Sequence, residues 1–417
     1  MVARRLDVLL PTLGSAGDVH PFIAIGLELK RRGHRATLLT NPLFQALIES
    51  HGLGYLPVGS EAVARAAIGN PDVWHLRRGF AILAQVVGPA IEEVYRLIER
   101  RANRDTVVVY STLAFGGRLA QEKLGLAGAS VHLQPSVLRT FGEQGMLGNV
   151  RLSASHPRWF KQGLFRLIDL LVIDRNLQRP LNELRARLSL PPVSRLMHQW
   201  MHSPELVLAM FPDWFAPPQP DWPPNTHTVG FPLWDQEPSP ERSRAREFLQ
   251  DGPPPVVVTP GSAGSTMRRL FDESVAALAE LGLRGMLVTN FPEQLPSGLP
   301  RGIEAFGYLP FSEVLPRSEL LIYHGGVGTL AQALRAGVKQ LVVPHGYDQF
   351  DSGWRVERLG VGASIVERRY RRARVVRTLR DLLSGVSIAS QCRNIAARLD
   401  GNGAARAVDL IEALKRT

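Results

Sequence analysis

Short apolar runs alternate along the chain with stretches in which apolar residues recur at helical spacing. The run Leu6–Leu10 predicts a buried strand, and the recurrence of Phe22, Ile25 and Leu29 after it predicts a helix that ends at Gly33. The same alternation repeats further along, which predicts parallel sheets covered by helices. Further strands are predicted at 36–39, 107–110, 130–133, 256–258, 286–289, 320–323 and 338–343.

The alternation forms two series separated by a proline-rich stretch. Residues 212–255 hold 12 prolines in 44 positions, a density that excludes helix interiors and central strands. A chain of 417 residues is long enough for two domains of roughly 150–200 residues each. We therefore predict an α/β protein with two Rossmann-like, doubly wound domains that face a central cleft. The predicted parts are an N-terminal domain (1–232), a linker (233–253), a C-terminal domain (254–395) and a terminal helix (396–417).

Composition places the chain among ordinary globular proteins. Hydrophobic residues make up 45% and charged residues 21%, which excludes the disordered and fibrous classes. The single cysteine, Cys392, excludes a disulfide framework and makes a cysteine-based zinc site implausible, so we predict a reducing, cytoplasmic location. The chain contains no apolar stretch of the roughly 18 residues that a membrane-spanning helix needs.

The positive charge of the chain is concentrated near its end. The net charge is +11, and residues 366–417 carry twelve basic against five acidic residues. A solvated helix face explains such a run, and attraction to an anionic membrane surface is a second interpretation. Nucleic acid is a poor third interpretation, because no DNA- or RNA-binding motif accompanies the charge. We therefore predict no nucleic-acid partner and keep peripheral contact with the inner membrane surface as an alternative.

The strongest chemical motif is a glycine-rich turn that follows a predicted strand and opens a predicted helix at about Gly326. It reads His324, Gly325, Gly326, Val327, Gly328 and Thr329. Closely spaced glycines let the backbone approach a ligand, and the helix N-terminus presents unpaired N–H groups to an anion. His324 and Thr329 add two hydrogen-bonding side chains, so the turn is suited to a diphosphate. A plain strand-to-helix turn is the structural alternative.

Two further loops add groups that suit a nucleotide-sugar. Tyr308, in the loop after Phe306, offers an aromatic face on which a base could stack, although a core tyrosine would look the same. Asp348 and Gln349 follow the strand 338–343 and could bind sugar hydroxyls, although such a pair in a loop is usually only solvated.

Taken in order, these three motifs resemble the nucleotide-sugar signature of the GT-B glycosyltransferases of family 1, including rhamnolipid, sterol and antibiotic glycosyltransferases. The resemblance implies that Tyr308 stacks on the base and that the backbone at Leu309 reads its edge. It also implies a terminal segment that returns to the first domain, and a donor that is a co-substrate, so that no separate cofactor is needed. The implied diphosphate contacts are Ser262, His324, Gly326, Gly328 and Thr329, and the implied donor-sugar contacts are Asp348 and Gln349.

One position departs from the family pattern. Many members carry a glutamate eight residues after the motif histidine, where it binds the ribose hydroxyls, and this chain has Gln332 there. A neutral amide is a poorer acceptor for two hydroxyls and suits a deoxyribose better. We therefore predict a preference for a dTDP-sugar over a UDP-sugar.

The first predicted strand is followed by another glycine-rich turn, Gly14–Pro21. It lacks the glycine spacing of a dinucleotide site, and no acidic residue ends the second strand, so nicotinamide chemistry is disfavoured. The resemblance aligns Asp18 with the base that deprotonates the acceptor. Asp18 could instead be the N-cap of a helix that starts at Val19, or could do both, and His20 is a less favoured base.

These assignments predict a metal-independent glycosyltransferase that inverts the anomeric centre of a hexose. The sequence lacks an Asp-x-Asp motif, so no metal ligand is predicted. Apolar residues in 65–90 and 135–205, such as Trp159 and Phe160, either line a site for a lipophilic hydroxyl acceptor or pack covering helices. Alternative functions are an epimerase or hydrolase of the same fold, or a non-catalytic partner of a glycosyltransferase.

Overall fold

The computed structural model describes residues 5–75, 78–236, 241–262 and 267–415. The chain divides into two compact units. Unit 1 comprises residues 1–144, 151–234 and 401–417, and unit 2 comprises residues 145–150 and 235–400.

A parallel sheet forms the centre of unit 1. The strands up to residue 230 are β1 (Asp7–Pro11), β2 (Arg35–Thr40), β3 (Gly54–Pro57), β4 (Thr106–Ser111), β5 (Ala127–His132), β6 (Gly145–Leu147), β7 (Val150–Leu152), β8 (Leu206–Ala209) and β9 (Thr226–Thr228). Among the described residues the sheet has the order β3-β2-β1-β4-β5-β8-β9. Strand β6 belongs to unit 2. All six residues of β4 are buried, as expected for a parallel strand covered on both faces.

Helices cover this sheet. They are α1 (Ala16–Arg31), α2 (Gln45–Ser50), α3 (Glu61–Gly69), α4 (Gly79–Arg101), α5 (Phe115–Leu124), α6 (Arg158–Ile168) and α7 (Asp174–Arg187). The close packing of α4 on α5 depends on Gly116, where a Cβ atom would lie 2.7 Å from Cβ of Val94 and 3.0 Å from the backbone nitrogen of Tyr95. A larger residue at Gly116 would force the two helices apart.

Unit 2 repeats the plan with a second parallel sheet. Its strands are β10 (Val256–Thr259), β11 (Gly285–Val288), β12 (Ile303–Phe306), β13 (Leu320–Tyr323), β14 (Lys339–Val342) and β15 (Gly362–Ser364), and their order within the described residues is β12-β11-β10-β13-β14-β15. The accompanying helices are α8 (Arg242–Gln250), α9 (Arg268–Leu281), α10 (Phe311–Val314), α11 (Val327–Ala336), α12 (Gln349–Arg358), α13 (Arg372–Ser384) and α14 (Val386–Ala397). The prediction of two Rossmann-like α/β units is confirmed.

The strand order of each sheet reverses at one point. In unit 1 the chain runs outward from β1 on one side and from β4 on the other, and in unit 2 the same holds for β10 and β13. Ligands of open parallel sheets bind beyond the carboxyl ends of the strands at such a switch point. The turn that holds Asp18 follows β1, and the turn that holds His324 follows β13. Both candidate turns therefore lie where topology favours a ligand.

The last helix of the chain, α15 (Gly403–Ala413), belongs to unit 1 and is attached there by an ion pair and a hydrogen bond. Arg32 Nη1 lies 2.5 Å from Asp409 Oδ1, and His34 Nε2 lies 2.9 Å from Glu412 Oε1. The expectation that the proline-rich stretch excludes helix interiors was wrong, because α8 lies within it at Arg242–Gln250 and buries Ala245 and Phe248. Residues 241–252 contain no proline, so the helix forms in a gap between the prolines. Within the described ranges, none of the helices combines the length and apolar character needed to cross a bilayer.

Candidate functional site

Two turns meet at the switch point of unit 2. The backbone of Gly261 after β10 adopts φ +79°, and a Cβ atom there would collide with the ring of His324 after β13. Only glycine combines this backbone conformation with such a close approach. Ser262, the next residue, is exposed at the same turn. The structure therefore places Ser262 and His324 on neighbouring turns.

The imidazole of His324 is neutral and incompletely bonded. Burial, with a smaller contribution from nearby His345, lowers the pKa of His324 to about 4. Its Nδ1 atom is buried and has no hydrogen-bond partner among the described residues. A buried polar atom without a partner costs about 1–3 kcal/mol. Such an atom is therefore expected where a bound ligand or water completes the site.

The N-terminus of α11 provides an open anion-binding end. Gly325 has φ +101°, and Gly326 is the N-cap residue, so no side chain caps the helix. A Cβ atom at Gly328 would meet nothing within 4 Å, and Thr329 lies half-buried in the first turn. Backbone N–H groups at an uncapped helix end carry partial positive charge and bind anions. This geometry supports the predicted diphosphate contact.

The side chain of Gln349 stabilises the loop that precedes it. Its Oε1 atom accepts hydrogen bonds from the backbone nitrogens of His345, at 2.8 Å, and Gly346, at 3.1 Å. The side chain is buried, and its residue packs on Gly325, where a Cβ atom would lie 3.1 Å from Gln349 Cβ. The amide carbonyl therefore fixes the loop to the α11 turn. Asp348, half-buried at the N-cap of α12, is the more accessible member of the predicted sugar-binding pair.

A third group of residues surrounds Tyr308. The tyrosine hydroxyl accepts a hydrogen bond from the backbone nitrogen of Gln236 at 2.9 Å. Asp235 Oδ2 accepts from the backbone nitrogen of Ser312 at 2.8 Å, and Asp235 Oδ1 accepts from Nε2 of Gln332 at 3.1 Å. Burial raises the pKa of Asp235. The structure thus brings Tyr308 and Gln332, two predicted nucleoside contacts, to one short segment.

Asp235 was missed by the sequence analysis. It lies in the proline-rich segment, far from the motif block, and no local pattern marks it as a site residue. Its carboxylate supplies a negative group next to Gln332, the position at which the family pattern has a glutamate. Leu309 is buried, so only its backbone is suited to contact a base.

The candidate base in unit 1 lies in a capped turn. Helix α1 begins at Ala16 with Ser15 as its N-cap, so the alternative in which Asp18 is the N-cap of a helix starting at Val19 is wrong. Asp18 is instead the third helical residue, and its Oδ2 accepts from the backbone nitrogen of Ser15 at 2.9 Å. Gly14 has φ +136°, and a Cβ there would collide with the Asp18 carboxylate. One oxygen of Asp18 thus serves in a capping box.

The charge state of Asp18 suits proton transfer. Burial raises its pKa to about 6, against the opposing effect of the hydrogen bonds from Ser15. Within the described part of the chain both hydrogen bonds to this carboxylate reach Oδ2, from the backbone nitrogen and the hydroxyl of Ser15, so Oδ1 is left for a substrate proton. A carboxylate with a pKa just below neutrality is largely ionised at pH 7, yet is more basic than an ordinary aspartate.

His20 lies among aromatic rings. Its ring centroid is 4.8 Å from that of Trp234 and 6.4 Å from that of Phe44, both edge-on. Burial lowers the pKa of His20 to about 4. The aromatic contacts give this residue a packing role, which makes Asp18 the stronger candidate base.

Comparisons with known proteins give a consistent result for both halves of the chain. Residues 8–139 match the family described as glycosyltransferase family 28 N-terminal domain, and residues 277–407 match the family described as erythromycin biosynthesis protein CIII-like, C-terminal domain. The chain is 31% identical over 417 residues to O-mycaminosyltylonolide 6-deoxyallosyltransferase of Streptomyces fradiae, covering 94% of this chain and 93% of that relative. It is 26% identical to vancomycin aglycone glucosyltransferase of Amycolatopsis orientalis, covering 86% of each chain.

Solved structures share the fold over nearly the whole chain. The glycotransferase of kitacinnamycin superposes with a TM-score of 0.75 at 20% identity, covering 99% of both chains. Spinosyn rhamnosyltransferase SpnG complexed with thymidine diphosphate superposes with a TM-score of 0.68 at 19% identity, covering 97% of this chain and all of that one. At these identities the likeness shows a common fold and leaves substrates to be argued separately.

Proposed function

Because the chain belongs to the family 1 glycosyltransferases of the GT-B fold, we propose that it transfers a hexose from a dTDP-sugar to a hydroxyl of a lipophilic small molecule. A UDP-sugar is the alternative donor. The observation that carries the proposal is the N-terminus of α11, which begins at a glycine N-cap, beside Nδ1 of His324, a buried atom without a hydrogen-bond partner among the described residues. These groups suit a ligand that brings a diphosphate.

The donor follows from the chemistry of unit 2. A nucleoside diphosphate would place its phosphates at the α11 turn, its base on Tyr308 and its pentose near Gln332. The relative from Streptomyces fradiae is named for transfer of a 6-deoxyallosyl group, and SpnG was solved with thymidine diphosphate. Both names support a thymidine-linked deoxysugar as the first donor to test.

Asp18 is the base of the proposed reaction. Its carboxylate takes the proton of the acceptor hydroxyl as that oxygen forms a bond to the anomeric carbon. The bond from this carbon to the diphosphate oxygen breaks, and the nucleoside diphosphate leaves with the electron pair. Attack from the side opposite the leaving group inverts the anomeric configuration. The N–H groups at Gly326–Thr329 and the ring of His324 stabilise the charge that develops on the diphosphate.

The reaction is tested by release of nucleoside diphosphate. We expect release from a dTDP-hexose only when a hydroxylated acceptor is present, and equal turnover in the presence of a chelator. A panel of hydroxy-lipids, sterols and phenols, with mass spectrometry of the products, identifies the acceptor. Release without any acceptor would instead support a hydrolase of the same fold. Loss of turnover in the chelator would overturn metal independence.

The preference for the nucleoside depends on the Asp235–Gln332 pair. We expect dTDP to stabilise the protein against heat more than UDP does, and a tenfold tighter affinity for UDP, about 1.4 kcal/mol, would contradict this. Gln332→Glu should weaken dTDP binding about tenfold or more, because it sets a second carboxylate beside Asp235.

The double variant Asp235→Asn/Gln332→Glu is the matched control. It keeps one carboxylate and one amide but exchanges their positions, so the repulsion disappears. We expect binding of dTDP to recover relative to Gln332→Glu, and UDP to gain relative to dTDP. Equal binding by wild type, single variant and double variant, measured by calorimetry, would show that these residues do not contact the nucleoside.

A further inference from the structure

One helical stretch of unit 1 exposes an unusual amount of apolar surface. Nine large apolar side chains stand out as exposed in the described ranges, and five of them lie between residues 159 and 171. Trp159 is 74% exposed and Leu170 66%, figures that are high for residues of this type. The other three are Phe160, Leu167 and Leu171. We define these five residues as the α6 patch.

The α6 patch forms one face of a helix. Helix α6 continues through a π-helical turn, Asp169–Ile173, into α7. Trp159 and Leu170 are eleven residues apart, which is about three turns, and Phe160 and Leu167 are seven apart, about two turns. The five side chains therefore lie in two adjacent rows, and the stripe they form is on the order of 18 Å long.

The opposite face fixes this helix to the body of unit 1. Phe165 is fully buried, and Lys161 Nζ donates hydrogen bonds to the carbonyl oxygens of Phe141, at 2.7 Å, and Gly142, at 2.5 Å. Arg139 Nη1 lies 2.7 Å from Asp169 Oδ1 in a buried ion pair. The apolar stripe is therefore presented on a helix that is held firmly in place.

Within 151–175, the span that holds the α6 patch, the exposed charged residues are all arginines, whereas Asp169 and Asp174 are buried. Residues 145–168 contain Arg151, Arg158, Lys161 and Arg166 and no acidic residue. Lys161 is buried, whereas the three arginines are exposed. Arginine beside exposed tryptophan and leucine on one helix face is the pattern of helices that lie in the headgroup region of a membrane.

We propose that the α6 patch and its arginines dock unit 1 onto a bilayer that contains anionic lipids. The lipid headgroups supply the negative charge that the arginines lack, and the acyl boundary buries the apolar stripe. A second copy of the chain fits less well, because a symmetric contact would set Arg158 and Arg166 near their own counterparts without an acid to pair them. This surface goes beyond the proposed transfer reaction and does not depend on it.

The sequence suggested a different membrane surface, the basic run after residue 366. That run is less suited to bind a bilayer than the α6 patch. Arg372 Nε lies 3.4 Å from Glu280 and Arg371 Nη1 4.0 Å from Glu273, so acids of α9 offset part of its charge. Of the nine exposed large apolar side chains in the described ranges, Val386 alone lies after residue 366, so this surface has no apolar stripe. Its arginines are those of a solvated surface rather than of an interfacial helix.

Flotation of the full chain with lipid vesicles tests the proposal. We expect binding to phosphatidylcholine vesicles that contain phosphatidylglycerol, at least tenfold weaker binding to phosphatidylcholine alone, and release by raised salt, because salt screens the charge attraction. Trp159→Glu/Leu170→Glu should lower binding at least tenfold. Val386→Glu, at a valine that is 82% exposed on α14, is the matched control and should bind like the wild type.

Three outcomes would overturn the proposal. The first is an absence of wild-type binding to anionic vesicles, and the second is unchanged binding by the Trp159→Glu/Leu170→Glu variant. The third is a wild-type dimer in light scattering that this variant dissociates, which would make the α6 patch an interface between copies. Thermal unfolding without any ligand shows whether each variant is folded, and it does not depend on the donor, so a failure of vesicle binding is distinguishable from a failure of the proposed reaction.

Discussion

Asp18→Asn is expected to lower kcat by roughly 10²–10⁴-fold, because the amide cannot accept the proton of the acceptor hydroxyl. The substitution keeps the shape of the side chain. The amide oxygen can still accept the hydrogen bond from the Ser15 backbone nitrogen, which lies 2.9 Å from Oδ2 of Asp18 in the wild type. Binding of dTDP, which is assigned to unit 2, should not change. Initial rates with saturating donor and acceptor measure the effect.

The control for this experiment is His20→Phe. It removes the ring nitrogens but keeps an aromatic ring against Trp234 and Phe44. We expect it to retain most of the turnover. If His20→Phe abolished turnover while Asp18→Asn remained active, the base would be His20.

The pH dependence of the rate should follow Asp18. Its pKa of about 6 means that the base is ionised above pH 6 and lost below it. The value of kcat/KM should therefore fall about tenfold between the plateau and about pH 5. Asp18→Asn should remove this limb of the profile.

The stability of the folded protein should change with pH in the direction opposite to the rate, because ionisation of Asp18 raises the rate and lowers the stability. A carboxylic acid whose pKa is raised by folding from 3.8 to about 6 destabilises the folded state when it is ionised. The penalty is present above pH 6 and disappears as the pH falls towards the unfolded value. Asp18→Asn should therefore unfold at a higher temperature than the wild type near pH 8, with a difference that shrinks towards pH 4. An unchanged unfolding temperature at both values would argue against a buried charge.

Gly325→Ala is expected to remove most of the affinity for the nucleoside diphosphate, by roughly 100-fold or about 2.7 kcal/mol. Its φ of +101° is strained for alanine, and the new Cβ would lie 2.9 Å from Val342 Cγ1 and 3.1 Å from the carbonyl oxygen of Gln349. Relief of these contacts must move the start of α11 or the loop held by Gln349. Strain of this kind costs about 1–3 kcal/mol, so the melting temperature should also fall. Calorimetric titration with dTDP and thermal unfolding measure the two effects.

Gly328→Ala separates ligand approach from backbone strain. A Cβ there would meet nothing within 4 Å, and the residue lies within helix α11. Its stability should therefore equal or slightly exceed that of the wild type. Affinity for dTDP should still fall, because the added methyl occupies space next to the N–H groups of the turn. Full affinity in both variants would place the diphosphate elsewhere.

Periodicity and turn chemistry are local properties, and they determined the main elements in advance. The run Leu320–Tyr323 and the glycines after it predicted a strand and a helix that opens at about Gly326, and the structure has α11 at Val327–Ala336. The four-residue strand is fully buried. Apolar runs bounded by glycine specify such elements because burial of their side chains and the φ freedom of glycine act over few residues.

Contacts between residues distant in the chain were decided only by the tertiary structure. Asp235 meets Gln332 across 97 positions, and no local pattern predicts a hydrogen bond at that separation. The start of α1 was misplaced by three residues, because Ser15 and Asp18 are both good capping residues and only the observed hydrogen bonds distinguish their roles. The exposure of a side chain also depends on distant parts of the chain. The sequence allowed Trp159 to pack inward under a covering helix, and in the structure its side chain is 74% exposed. The sequence therefore determined the most apolar strands, such as β1, β4, β10 and β13, and the glycine turns that follow β1 and β13. Packing determined which polar groups meet and which apolar groups remain exposed.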